Sequence, residues 1–118
     1  MRVLVVDDEA DIRLTSTTML EHLGHEVRTA RNGAEALEYA EQWLPDVVLM
    51  DLTMPVMNGF VAIRRLRLSP VGRNVRVIAC SAHVGDPATR ELATAAGCDS
   101  FMSKPIDWGR LETLLVRN

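Results

Sequence analysis

The sequence lacks a strong excess of either charge. Its formal net charge is −3, which implies no general affinity for nucleic acid or for a membrane surface. No apolar run approaches the ~20 residues that span a bilayer. Met1-Arg2 leads directly into strand-like sequence, so no signal peptide is expected and a cytoplasmic location is. Cysteine is scarce: Cys80 and Cys98 sit in apolar settings without CxxC spacing and read as reduced core residues, with no metal or redox task. There is no internal repeat, low-complexity tract or linker. The 118 residues therefore read as one domain, 1–118, long enough to bury a core without staples. At 47% hydrophobic and 25% charged, the composition is that of an ordinary globular protein.

What the chain does have is centred on Val47 to Gly59, Val-Val-Leu-Met-Asp-Leu-Thr-Met-Pro-Val-Met-Asn-Gly. An apolar run without polar alternation suits a strand buried on both faces of a parallel sheet. It ends in one carboxylate, Asp51, at the end of a strand where open α/β sheets hold ligands. Taken alone, Asp51 could equally open a turn.

The rest of the chain repeats the pattern. Val3 to Val6 is a second apolar run, ending in Asp7-Asp8-Glu9. Ile12, Ser16, Met19, Leu20 and Leu23 recur at helical spacing and stop at Gly24. Glu26 to Ala30 is a half-polar strand suited to a sheet edge. Ala34, Leu37, Ala40 and Leu44 mark a helix ending before Pro45, and the central strand spans Asp46 to Asp51. Phe60, Ile63 and Leu66 give a third helix, with Arg64, Arg65 and Arg67 on its wet side as a solvated face. Pro70 to Asn74 is a loop. Val75 to Cys80 is a strand leading to Ser81-Ala82-His83. Asp86-Pro87 opens a helix through Ala96, stopped by Gly97. Cys98 to Met102 is the last strand, followed by Ser103-Lys104-Pro105, and Asp107 caps a helix carrying Trp108, Leu111, Leu114 and Leu115.

Five strand–helix repeats argue for a parallel sheet covered on both faces. The chain must then reverse its winding once, and the crevice beside that reversal is the default site. The strand ends deliver Asp7 and Asp8, Asp51, Ser81 and Lys104. If the first and third strands are neighbours, three carboxylates converge there and cannot all stay ionised unaided: either one pKa rises steeply or a cation sits among them. A hard cation with oxygen ligands is the natural choice, and Mg²⁺ typically takes one or two carboxylates with waters and a substrate phosphate. Asp51, alone on its strand, is best placed as a nucleophile toward a phosphoryl group. Lys104 and the Ser81 hydroxyl then hold phosphoryl oxygens.

These residues carry a resemblance. Val5-Val6-Asp7-Asp8-Glu9, Leu49 through Gly59, Ser81-Ala82 and Lys104-Pro105 together resemble the receiver (response-regulator) domains of two-component signalling, from Val3 to Leu115. The resemblance implies a flavodoxin-like, doubly wound (βα)5 fold with strand order 2-1-3-4-5. It implies Asp51 as phosphoacceptor for a sensor histidine kinase or histidine phosphotransfer protein. Asp7, Asp8, Asp51 and the backbone carbonyl of Thr53 become ligands of Mg²⁺, with Mn²⁺ as an alternative ion. Lys104 pairs with the phosphoryl group, and Ser81 and Phe101 are switch residues. The α4-β5-α5 surface then signals to a downstream protein or a fused output domain. The Lys104-Pro105 bond is often cis in that family. Thr53 and His83 occupy the positions that tune phosphoryl lifetime, and His83 reads first as a solvent-facing loop residue.

An aspartyl-phosphate phosphatase of the haloacid-dehalogenase type is the main alternative. It needs a second Asp two residues past the nucleophile, where this chain has Thr53. A flavodoxin-type cofactor binder needs a phosphate cradle after the first strand, and Asp7-Asp8-Glu9 repels phosphate.

Overall fold

A computed structural model describes residues 1–54 and 57–116. Pro55 and Val56, in the loop after the central strand, and Arg117 and Asn118 lie outside the described residues. In chain order the elements are β1 (Arg2–Val6), α1 (Ala10–His22), β2 (Glu26–Ala30), α2 (Gly33–Trp43), β3 (Val47–Asp51), α3 (Gly59–Leu68), β4 (Arg76–Ser81), α4 (Pro87–Ala96), β5 (Ser100–Ser103) and α5 (Trp108–Val116). All neighbouring strands pair in parallel, and the sheet order is β2-β1-β3-β4-β5.

Alternate strand residues feed two separate cores, because successive side chains point to opposite faces. Leu4, Val6, Val48, Met50, Val77 and Ala79 face one side and pack with residues of α2, α3 and α4. Val3, Val5, Val47, Leu49, Ile78 and Cys80 face the other, under Leu20 of α1 and Leu111 and Leu115 of α5. All five residues of β3 are buried, as its uninterrupted apolar sequence requires, whereas β2, at the edge, is only partly covered.

Local signals set the helix ends. Asn32, Asn58 and Asp86 cap α2, α3 and α4 with side-chain oxygens that accept from Glu35, Val61 and Ala88 amides. Gly97 ends α4 at φ 117°, a left-handed conformation that glycine adopts without strain. Gly59 is needed for a different reason. A Cβ there would strike the Asp51 carbonyl oxygen and lie 2.7 Å from Leu52 Cα, so α3 could not start so close to the end of β3.

Several details depart from the sequence reading. Residues 70–72 form a short 3₁₀ turn inside the expected loop. β4 runs through Ser81, and β5 begins at Ser100 and not at Cys98. Leu23 and Leu44 are exposed, each serving as a helix C-cap outside the packed stripe. Cys80 is buried but Cys98 is only partly so. Arg67 is not on a solvated face. Its guanidinium turns inward and donates to the Gly97, Gly72, Arg73 and Val75 carbonyls and to Asp99 Oδ2. Helical spacing in fact sets it on the side of Phe60 and Ile63, seven and four residues before it. Its charge alone suggested the wet side, and the guanidinium stays in by pairing with backbone carbonyls.

Candidate functional site

β1 and β3 are neighbours, and Val6 is in register with Met50. The next residue on each strand, Asp7 and Asp51, therefore leaves the sheet side by side. This is the point where the chain reverses its winding, with β2 on one flank of β1 and β3 on the other. Asp51 is in register with Cys80 on β4, and Ser81 with Ser103 on β5, so Ser81 and Lys104 arrive at the same edge.

Oxygen atoms of Asp7, Asp8 and Asp51 lie within 4.8 Å of one another. Asp7 and Asp51 are buried, while Asp8 is exposed. Lys104 Nζ donates to Asp7 Oδ2 at 2.8 Å and stands 3.3 Å from Asp51 Oδ1. The Thr53 amide donates to Asp51 Oδ1 at 3.1 Å, and the Glu9 amide to Asp7 Oδ1 at 2.9 Å. The Ser81 hydroxyl oxygen accepts from the His83 amide at 3.0 Å. An open cleft of about 330 Å³ is walled by Asp8, Asp51, Thr53, Ser81, His83 and Lys104. The Lys104-Pro105 peptide is cis.

Burial pushes the Asp51 carboxyl up from 3.8 to about 6; the Thr53 amide and Lys104 oppose that rise, and the Asp7 charge adds to it. For Lys104, burial works against the ammonium. The Asp7 hydrogen bond and the charges of Asp51 and Asp7 outweigh it and hold the pKa above the ordinary lysine value. Burial likewise drives the Cys80 thiol up to about 12, so it is an inert core group. Among the described residues, the carboxylates of Asp7, Asp8 and Asp51 thus face the Lys104 ammonium, and the acid cluster offers oxygen ligands. That donor set suits a hard divalent cation and does not suit a soft one.

Asp7, Asp8, Asp51, Ser81 and Lys104, the residues singled out at strand ends, are therefore gathered at one edge. Phe101 lies half-buried on β5, away from the cleft, with the Arg90 guanidinium 5.4 Å from its ring centre. Arg90 also donates to the Val84 carbonyl, in the loop after Ser81. Sequence reasoning assigned no role to Arg90, nor to Arg13, which donates to the Asp7 backbone carbonyl at 2.8 Å. Both are charged residues on helices, and spacing alone does not separate them from solvated ones.

The chain is a doubly wound α/β domain with acids and Lys104 at its switch point, and comparison with known proteins narrows its class further. Residues 3–116 match the family model of the response regulator receiver domain. The chain belongs to that family, whose members are the phosphoaccepting signalling modules of two-component systems and phosphorelays. It is 40% identical over 112 residues to the chemotaxis protein CheY of Thermotoga maritima, covering 93% of this chain and 90% of that protein. The structure of Vibrio cholerae CheY4 superposes with a TM-score of 0.92 at 31% identity, over 97% of this chain and 94% of that one. The receiver domain of the sensor histidine kinase PA1611 from Pseudomonas aeruginosa, a structure with a magnesium ion coordinated in its active-site cleft, superposes at 0.88 with 32% identity, over 97% and 93%. The family's acidic site binds Mg²⁺, and its members interact with histidine kinases and with output or partner proteins.

Proposed function

We propose that residues 1–118 work as one receiver domain in which Asp51 accepts a phosphoryl group from a phosphohistidine of a sensor kinase or phosphotransfer protein. The observation that carries this reading is the convergence of Asp7, Asp8 and Asp51 within 4.8 Å, with Lys104 Nζ 3.3 Å from Asp51. An Asp51 carboxylate oxygen attacks phosphorus, the P–O bond forms as the P–N bond breaks, and the electron pair stays with the departing imidazole. A carboxylate nucleophile needs no general base.

Asp7, Asp8, Asp51 and the Thr53 backbone carbonyl would hold Mg²⁺, or Mn²⁺ in its place. When bound, such an ion offsets the clustered negative charge and polarises a phosphoryl oxygen. Lys104 binds a second phosphoryl oxygen after releasing part of its hold on Asp7 and Asp51. Ser81, at the cleft wall, takes a third. Its shift carries the loop toward Asp86 and frees Phe101 to turn inward, and the α4-β5-α5 face then signals to a downstream protein or fused output domain. A cytoplasmic site of action suits such partners.

Incubation with a phosphohistidine kinase or acetyl phosphate tests the reading. The wild-type chain should take up an acid-stable, base-labile phosphoryl group, and Asp51→Asn should reduce uptake to background with the fold intact. Undiminished uptake in that variant overturns the assignment.

A further inference from the structure

Ser16 occupies the middle of the core-facing stripe of α1, where it and Leu20 are the buried residues. Its exposure is 1%, and its hydroxyl has no hydrogen-bond partner among the described residues. A buried hydroxyl without a partner is rare in folded proteins, because it gives up its bonds to water on folding. Next to it lies a chamber of about 10 Å³, close to the least space that a single water molecule occupies. The polar residues in the chamber wall are Ser16, Asp7, Asp51 and Lys104, and the rest, Ile12 and Cys80 among them, are apolar. A second, larger cavity of about 250 Å³ shares Ser16, Ile12 and Lys104 with the chamber and opens between α1 and the segment from Lys104 to Trp108.

We propose that this chamber is a water-binding site beneath the acid cluster, in which Ser16 holds one water against Asp7, Asp51 and Lys104. A site for a buried water needs two to four polar partners in reach, and the wall supplies that number. The larger cavity gives the water its route of exchange with solvent. Ser16 is a positioning residue: it touches no phosphoryl group but fixes, through the water, the side of the cluster that faces away from the cleft. The existence of the water site stands on geometry alone. Its effect on phosphoryl uptake rests on the reading of Asp51 as the acceptor.

High-resolution crystal structures of the wild type, Ser16→Ala and Ser16→Val test the site, with uptake from acetyl phosphate measured in parallel. The wild type should show one ordered water within hydrogen-bond distance of Ser16 Oγ and of at least one of the three charged groups. In Ser16→Val a methyl replaces the hydroxyl, the water should lose that partner and be absent, and uptake should slow about fivefold, the effect of one positioning hydrogen bond. Ser16→Thr, which keeps the hydroxyl, should restore the rate. Ser16→Ala supplies a check by thermal melting: it should leave Tm unchanged or lower if the hydroxyl bonds to water, and raise it if the hydroxyl is unpaired. A dry chamber in the wild type, a raised Tm in Ser16→Ala, or wild-type uptake by Ser16→Val overturns the proposal. Persistent labelling of Asp51→Asn would instead overturn the acceptor assignment and leave the water result standing.

Discussion

Two cations in this fold are equally sheltered and differently employed. The side chains of Arg67 and Lys104 are each 19% exposed. Arg67 meets the carbonyls of Gly97, Gly72, Arg73 and Val75 and the carboxylate of Asp99, which also accepts from the Val77 amide. Each of its hydrogen-bonding nitrogens is spoken for, and the charge is balanced by one acid. It ties the end of α3 to the start of β4 and the turn before β5. Lys104 faces carboxylates in excess, Asp7 and Asp51 directly and Asp8 nearby. A satisfied buried charge is a structural tie, whereas an unbalanced cluster is poised for a further ion or group.

Removing each cation separates the two roles. Arg67→Ala should cost about 3 kcal/mol of stability, since it strands several part-buried carbonyls. Denaturant unfolding measures this, and phosphoryl uptake by the remaining folded protein should be unchanged. Lys104→Ala should slow uptake about a hundredfold, the effect of losing one donor to developing charge. Its unfolding midpoint should move less than that of Arg67→Ala. Equal losses of stability in the two variants would erase the contrast.

The acid side of the cluster sharpens it further. The Asp51 carboxyl is raised from 3.8 to about 6, so the folded protein keeps that proton longer than the unfolded chain does. Between those two values the folded state binds more protons, and without metal the stability contribution of this group falls as pH rises through the window. Asp51→Asn should remove that slope and raise stability above pH 6 by on the order of 1–3 kcal/mol. Urea titrations at pH 4, 5, 6 and 7 read the difference. The smallest expected effect is that of the ion. Mg²⁺ at ten times its Kd should stabilise the wild type by about 1.4 kcal/mol. Asp8→Ala should lose most of that gain, and chelator should abolish it together with uptake.

The groups gathered at the sheet edge were readable from the sequence because strand ends are written locally. An apolar run followed by Asp marks both the strand and the residue at its mouth, and this holds for Asp7, Asp51 and, through Ser103, Lys104. The strand order came from family likeness, since alternation of strands and helices gives parallel pairing without ranking the neighbours. Arg67 was misread because its charge was taken to mean solvent, although it stands four residues after Ile63 and seven after Phe60, on the packed side of α3. Ser16 passed as one more residue of the α1 stripe, because nothing in its neighbours along the chain announces carboxylates beneath it. The stacking of Arg90 on Phe101 joins different elements and leaves no periodic trace.

The sequence by itself determined the alternation of elements, the burial of β3 and the chemical identity of the groups at the sheet edge, because each depends on residues within a few positions of one another. Tertiary structure alone decided which cation is tied and which is poised, and what lies under the acids. Lys104 meets Asp7 across 97 positions of chain. Such a contact exists only after the sheet has closed around it, and its surroundings are set by packing and not by local pattern.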